Sequence, residues 1–397
     1  MKICICGPVN PFELREFISS EESVIELNKG ASAVNTYVKE LLRNGHEVVI
    51  VTSDVPLNIS QDLTYYGEKL TIHILQSKPG IFLYHGFSRF YMVSRLKKYL
   101  KKIAPLVDVV HCQWTYDYTM AARSIEDIVP VFCTVRDWCP YIKQVQSSFL
   151  KRIQWNLYYL QFKYVMKSKK ITFIANSEYT KDCILSSYPE KKVSIIYNPI
   201  DKNLILAKKK KKIDNPTFIS IASSATEKRK NIPKLLEAFS SFLAISPNAK
   251  LLLVGNGFCE DNPELKVFAE KGLLKNVELL GRKTHMEVIA AIDDSTCLIH
   301  PALEETFGNI LLEGMARCVC VIGGDKSGAV PLVLNKGKCG ILCDVTSVAS
   351  MVDAMKKALN LKETQSLIEE GTSRLLGSYS SDVILEKHLQ LYKNKRI

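Results

Sequence analysis

The sequence predicts an α/β protein built of two doubly wound parallel-sheet domains, and three observations lead there. Short apolar runs rich in Val and Ile recur along the chain, each separated from the next by a stretch long enough for a helix. Strands buried on both faces of a parallel sheet have this continuous apolar character. The alternation breaks at a run of five lysines, 208–212, followed by Asp214-Asn215-Pro216, and then begins again. At 397 residues the chain also exceeds the length that one hydrophobic core usually serves, so two domains of somewhat under about 200 residues each are the natural division.

Taken in order, the first series places strands at 2–7, 47–52, 70–75, 107–111, 130–135, 171–176 and 193–197. Between the first two, 32–44 reads as a helix. Val34, Val38 and Leu42, with Leu41, form a stripe at helical spacing, and Gly45 stands where a helix C-terminus favours glycine. The lysine run is the linker, because like charges repel and Pro216 ends regular structure. A second series follows at 217–222, 250–254, 277–280, 297–300, 319–323 and 340–343. The expected organisation is therefore an N-terminal domain over 1–207, a second domain over 213–380, and a helix over 381–397 that returns to the first domain. Open α/β sheets bind ligands beyond the carboxyl ends of their strands, so two such domains are expected to face each other across a ligand-binding cleft.

Composition narrows the function classes. Apolar content of 47% and charged content of 24% are those of an ordinary globular protein. No apolar run reaches the roughly 18 to 20 residues needed to cross a bilayer. The opening Met1-Lys2-Ile3-Cys4-Ile5-Cys6-Gly7-Pro8 has too short an apolar part for a signal peptide and reads as a buried strand. The 12 cysteines are scattered, many inside apolar runs (Cys4, Cys6, Cys133, Cys297, Cys318, Cys320), which fits a reduced cytoplasm. Cys133 with Cys139 and Cys339 with Cys343 lack flanking histidines or a second pair, so no metal and no cofactor is expected.

The formal charge of +12 implies attraction to a polyanion: nucleic acid, an anionic membrane face or a phosphorylated substrate. No nucleic-acid motif accompanies the charge, which leaves nucleic-acid binding as a minor alternative. A nicotinamide dehydrogenase is disfavoured, because the first strand runs into Gly7-Pro8-Val9-Asn10 without Gly-x-Gly-x-x-Gly spacing. Between Asp137 and Glu178 there is no acidic residue, while Lys143, Lys151, Arg152, Lys163, Lys167, Lys169 and Lys170 all lie there. Phe149, Leu150, Ile153, Leu157, Leu160 and Tyr164 recur at three- or four-residue intervals in the same stretch. Such a segment fits a helix lying on anionic lipid, and its stripe equally fits a helix packed on a core.

The segment richest in chemistry runs from His300 to Ala316. A strand ends at His300, a loop carries Glu304, Glu305, Thr306, Phe307 and Gly308, and a helix begins near Asn309. Amides at a helix start lack internal partners and lie at the positive end of its dipole, so they suit a diphosphate, which Gly308 lets approach the backbone closely. Glu313 is placed to accept hydrogen bonds from ribose hydroxyls, and Glu305 to face a sugar ring or developing positive charge. The plainer alternative makes Glu305 a helix-terminus charge and Glu313 a surface residue.

Glu305 and Glu313, embedded in Glu305-Thr306-Phe307-Gly308-Asn309 and Leu312-Glu313-Gly314-Met315-Ala316, resemble the paired-glutamate signature of glycosyltransferase family 4. The resemblance extends over nearly the whole chain. Lys29-Gly30-Ala31 before a helix ending in Gly45-His46-Glu47-Val48 is similar to the family's glycine-rich loop and the strand after it. Asn176-Ser177-Glu178, 196–201 and 324–331 fall where the family has similar segments. The resemblance implies the GT-B fold, with two Rossmann-like domains, and retaining transfer from a nucleotide-sugar.

It also implies roles for single residues. Gly30 and Ala31 would approach the donor, and Lys230 matches the family's lysine on the donor diphosphate. The family's arginine position holds Ala225, which leaves Arg229 as the substitute. A solvated charge run at a helix start is the alternative for both cations. Thr134-Val135-Arg136-Asp137 occupies the strand end where many members read Thr-Val-His-Asp, so Arg136 stands in place of the histidine near the transferred sugar. Arg136 and Asp137 are expected on the reaction side, or else in a structural pair. His111, ending its own predicted strand, is expected to touch sugar or acceptor unless it is a satisfied buried histidine. The expected partners are a UDP- or GDP-sugar and a saccharide acceptor, lipid-linked if the basic helix meets an anionic membrane at the inner face of the cell membrane. A catalytically silent GT-B partner protein is the alternative, for which Arg136 is the reason.

Overall fold

Fourteen strands form among the described residues. Those of the first series are β1 (Lys2–Cys6), β2 (Glu47–Asp54), β3 (Leu63–Tyr66), β4 (Leu70–Gln76), β5 (Val109–Gln113), β6 (Val131–Val135), β7 (Thr172–Ala175) and β8 (Val193–Ile195). They make one sheet in the order β3-β4-β2-β1-β5-β6-β7-β8, parallel throughout except where β3 runs antiparallel to β4. The second series, β9 (Thr217–Ile221), β10 (Lys250–Val254), β11 (Val277–Gly281), β12 (Cys297–His300), β13 (Cys320–Gly324) and β14 (Ile341–Cys343), makes a fully parallel sheet in the order β11-β10-β9-β12-β13-β14. The computed structural model describes residues 1–19, 23–27, 32–54, 59–77, 84–146, 148–206, 215–222 and 224–395. Gly30, Ala31 and the lysine run lie outside the described residues.

Side-chain alternation explains why these runs are apolar throughout. Along β1, Ile3 and Ile5 enter one buried cluster with Val34, Val38, Leu41 and Leu42 of the helix Ser32–Arg43. Cys4 and Cys6 point the other way, into a cluster with Leu96 and Leu100 of one helix and Phe162 and Val165 of another. A strand with apolar partners on both sides belongs in the middle of a covered sheet, and β1 pairs with both β2 and β5. The cysteines are packing residues here, and all 12 are free thiols. At the end of the helix Ser32–Arg43, Gly45 takes a φ of 79° and its N–H donates to the Leu42 carbonyl, which closes the helix.

The antiparallel strand β3 is absent from the sequence reading. Its four residues alternate between core and solvent as an edge strand does, with Tyr65 buried and Tyr66 exposed. It returns to β4 through a tight turn in which the Gly67 N–H donates to the Leu70 carbonyl.

The chain divides into two compact units, Met1–Pro199 with Ser381–Ile397, and Ile200–Ser380. The first boundary thus falls earlier than the 207 read from the sequence. Residues 200–206 are tied to the second unit, because Leu206 N–H donates to Ala316 O, Arg317 Nη1 to Leu204 O, and Cys318 Sγ to Leu206 O. The helix Ser381–Lys393 packs in the first unit, placing Ile384, Leu385 and Tyr392 in the cluster of Ile3 and Val38. Its start is fixed where Ser381 Oγ donates to Glu40 Oε2 at 2.7 Å.

Candidate functional site

In the second unit the chemistry gathers on the loop after β12. The helix Asn309–Ala316 starts at Gly308, whose φ of 87° lies in the left-handed region where glycine is unstrained. A Cβ there would come within 2.9 Å of the Leu311 side chain. Two other segments, 229–231 and 327–329, hold the loop. Asn231, itself left-handed at φ 55°, donates through Nδ2 to Pro301 O at 3.1 Å and to Val345 O at 2.8 Å. Leu303 N–H donates to Arg229 O, Ser327 Oγ to Ala302 O, and Ala329 N–H to Glu305 O.

These anchors bring Glu305, Lys230, Arg229 and His300 together. Lys230 Nζ lies 2.5 Å from Glu305 Oε1, His300 Nε2 lies 3.4 Å from it and Arg229 Nη1 3.6 Å. Arg229 also pairs with Glu227 at 3.1 Å and reaches Glu304 at 3.7 Å. Burial by itself pushes the Glu305 carboxyl up, but Lys230, His300 and Arg229 together outweigh it and hold the group well below the ordinary carboxylate range. His300 is pushed down chiefly by burial, with Lys230 and Arg229 adding to this against the pull of Glu305, so it is neutral at pH 7. Burial opposes charge on Arg229 too, yet Glu305, Glu227 and Glu304 more than restore it. A carboxylate held ionised in this way can stabilise positive charge developing beside it, and the two cations can take the oxygens of an anion.

The remaining residues of this segment differ in what they expose. Thr306 is buried, and the Phe307 ring is in the core, edge-on to Tyr379 with centroids 5.7 Å apart, so Phe307 can meet a ligand only through its backbone. Asn309 is the first residue of the helix and half-buried. Glu313 is a buried residue of the same helix, not a surface one, and its Oε1 lies 3.2 Å from His285 Nε2. His300, Asn231 and His285 were not singled out as site residues from the sequence. His300 was legible as a polar residue ending an apolar strand, and His285 follows Thr284 of a Thr-x-x-Glu capping box. Asn231 gave no signal, since its role rests on a backbone conformation.

In the first unit, Arg136 follows β6 and donates through Nε to Gln113 Oε1 at 2.7 Å and through Nη1 to Asn198 Oδ1 at 2.6 Å. Its guanidinium lies 5.7 Å from the centre of the Trp114 ring. Burial lowers it to about 10, so it stays charged at neutral pH. Asp137 accepts from Tyr116 Oη at 2.8 Å. His111 is fully buried, and both ring nitrogens are engaged, Nε2 with Thr134 Oγ1 at 2.7 Å and Nδ1 with Tyr392 Oη at 2.6 Å. The geometry is that of a satisfied core histidine, and it does not place His111 where a sugar could touch it. Gly30 and Ala31 lie outside the described residues.

The helix Phe149–Met166 turns Phe162, Val165 and Met166 inward and leaves Phe149, Leu150, Ile153, Leu160 and Tyr164 exposed. Phe149 is 75% and Leu160 57% exposed, so the apolar stripe faces solvent and not the core. Among the described residues no helix is long and apolar enough to cross a membrane, and no three His, Cys, Asp or Glu side chains are grouped to hold a metal ion.

The two sheets are those of the GT-B fold. The model Glycosyltransferase Family 4 matches residues 31–204, and the model Glycosyl transferases group 1 matches 205–374. The chain belongs to the family 4 glycosyltransferases. It is 23% identical over 382 residues to N-acetyl-alpha-D-glucosaminyl L-malate synthase of Bacillus anthracis, covering 91% of this chain and 93% of that protein. To alpha-monoglucosyldiacylglycerol synthase of Acholeplasma laidlawii it is 26% identical over 333 residues, covering 76% and 75%. Among solved structures, sucrose-phosphate synthase from Thermosynechococcus elongatus superposes with a TM-score of 0.77 at 16% identity over 99% of each chain, a likeness of fold.

Proposed function

We propose that this glycosyltransferase moves a sugar from a UDP- or GDP-sugar to a hydroxyl of a saccharide acceptor with the anomeric configuration retained. The observation that carries the reading is Glu305, held ionised by Lys230, His300 and Arg229 on the loop that feeds the helix start at Asn309. The donor diphosphate takes Lys230, Arg229 and the amides around Thr306, Phe307, Gly308 and Asn309, while the ribose meets Glu313. As the bond from the anomeric carbon to the phosphate oxygen breaks, negative charge grows on the leaving diphosphate beside the two cations. Positive charge grows on the sugar, where Glu305 stabilises it. The acceptor hydroxyl bonds to the same carbon on the same face, and its proton passes to the leaving phosphate oxygen. Two fixed cations supply the charge that a metal would otherwise bring, so no metal cofactor is assigned. Arg136 and Asp137 are the reaction-side contacts of the first unit, and His111 is left to the core.

The acceptor is a lipid-linked saccharide or glycolipid precursor, and the site of action is the cytoplasmic face of the cell membrane, in cell-surface polysaccharide or glycolipid assembly. The exposed apolar stripe of the helix Phe149–Met166, in a stretch that bears cations and no carboxylate, supports this part of the reading. So does the similarity to a protein named for a diacylglycerol product.

Thermal unfolding with UDP, GDP and ADP, followed by incubation with their sugars, tests the proposal. A ligand that binds the folded chain raises its apparent stability. The expected result is a shift with UDP or GDP and slow hydrolysis of the matching sugar donor to the retained anomer, read by NMR. No shift with any nucleotide and no hydrolysis of any donor would leave the silent-partner reading in its place.

A further inference from the structure

We propose that His285 is a positioning residue for the donor ribose: its ring holds one oxygen of Glu313, so that the carboxylate presents the other to the ribose hydroxyls. The inference rests on the assignment of Glu313 to the ribose.

Two helices are joined by this contact. One, His285–Asp293, follows β11 at the edge of the second sheet; the other, Asn309–Ala316, follows β12. β10 and β9 lie between those strands, and all four are parallel, so the link between His285 and Glu313 reaches across the carboxyl end of the sheet. That end is where open α/β sheets bind nucleotides. Each partner is fixed by its own helix. Thr284 and Glu287 form a complete capping box, with Thr284 N–H and Oγ1 both donating to Glu287 Oε2, which sets the backbone at His285. Glu313 is buried within its helix, so its carboxylate has little freedom to turn.

The pair is built asymmetrically. Glu313 is 9% exposed and His285 27%, with Nε2 lying 3.2 Å from Oε1. A buried carboxylate is costly unless it is hydrogen-bonded, and a carboxylate free to rotate would lose entropy on taking up two ribose hydroxyls. A fixed imidazole meets both needs: it satisfies Oε1 and sets the plane of the carboxyl group. The histidine touches the donor site through Glu313, so its removal should weaken ribose recognition and leave the chemical step alone.

Calorimetric binding of UDP and of 2′,3′-dideoxy-UDP, with the corresponding GDP pair, to the wild type and to His285→Ala, His285→Gln and Glu313→Gln tests this. In the wild type, loss of the hydroxyls should weaken binding about tenfold or more, two net hydrogen bonds being removed. In His285→Ala, UDP or GDP should bind about fivefold more weakly, and the dideoxy form should change less than twofold. His285→Gln, whose amide N–H can replace the ring N–H, should bind within about twofold of wild type. With a sugar donor, His285→Ala should raise the KM about fivefold and leave kcat within about twofold.

Wild-type discrimination between the ribose and dideoxyribose forms in His285→Ala overturns the inference. If Glu313→Gln also keeps that discrimination, or if no nucleotide binds, the ribose assignment itself fails. Loss of discrimination in Glu313→Gln alone removes only the role of His285.

Discussion

In the second unit a cluster of charged groups meets at one strand end; in the first a network of neutral hydroxyls and imidazoles fastens a helix. A lysine, an arginine and a histidine lie within 3.6 Å of one oxygen of the Glu305 carboxylate. Around His111 the partners are hydroxyls, Thr134 on one side and Tyr392 on the other, with Tyr392 bonded in turn to Tyr37 at 2.8 Å. His388 of the same helix lies against the Tyr37 ring, with centroids 4.6 Å apart. The first unit's densest run of cations lies outside this network, on the helix Phe149–Met166 and its surroundings. Concentrated buried charge is expensive unless it is paired, so its presence marks a place where charge has a task beyond stability. The neutral network of the first unit needs no such task, since hydrogen-bonded hydroxyls and imidazoles suffice to dock the returning helix.

The comparison breaks most sharply at Glu305. Glu305→Gln keeps the shape and removes the negative charge, so donor hydrolysis and transfer should both fall about 100- to 1000-fold, as when one preorganised electrostatic group is lost. Affinity for UDP or GDP should hold within about tenfold, since Lys230 and Arg229 lose a competing partner rather than a supporting one. Steady-state kinetics beside nucleotide binding reads both. Activity within threefold of wild type would make the charged cluster structural and remove the contrast between the units.

A smaller effect is expected on the outer surface of the first unit. Lys163→Glu with Lys167→Glu reverses two exposed charges on the apolar helix, each worth about 1 kcal/mol near an anionic surface. Binding to phosphatidylglycerol vesicles at low salt should fall at least about tenfold, and binding to phosphatidylcholine vesicles should stay weak in both proteins. Flotation of the wild type with neither kind of vesicle would remove the membrane from the functional reading.

How much of this was legible in the sequence follows from distance along the chain. The strands were, because burial on both faces writes itself as a continuous apolar run; β3 was not, being a four-residue edge strand half open to solvent. Glu305 and the helix start were legible because nine residues hold them together, from His300 to Gly308. Asn231 and His285 were not, because they reach Pro301 and Glu313 from 70 and 28 residues away. Periodicity showed that Phe149, Ile153 and Leu160 share a face and could not say which way the face points. The neighbours Phe162, Val165 and Met166 take the core and leave that stripe outside. His111 was read as ending its strand, but β5 runs on to Gln113 and His111 sits at its centre; only the tail helix, 281 residues on, reveals that Tyr392 seals it.

The finest test of the contrast is the pH dependence of stability in the first unit. His388 is fully buried and pushed down to about 3, first by burial and then by the charge of Arg136. His111 is pushed down by burial, by His388 and by Arg136. An unfolded histidine titrates near 6.5, so between that pH and the folded value the unfolded chain holds more protons than the folded one, and stability falls as pH falls. Above about 6.5 both states are neutral, and these groups contribute no further pH dependence. His388 should therefore cost about 1.4 kcal/mol per pH unit as the pH drops from 6 toward 4, and His111 adds in the same direction. All three tryptophans, Trp114, Trp138 and Trp155, lie in the first unit, so urea unfolding followed by their fluorescence reports on that unit. His388→Gln cannot titrate and should lower the slope between pH 6 and pH 4 by about one proton's worth, whatever its stability at pH 7. Glu305, whose folded carboxyl is held well below its ordinary range, lies in the second unit; its unfolded carboxyl takes up a proton at about 4.3, so it adds to the loss of stability only at the acid end of that window and is common to both proteins. An unchanged slope in His388→Gln would mean that the imidazole is protonated in the folded protein, and the network around the returning helix would then carry charge as the Glu305 cluster does.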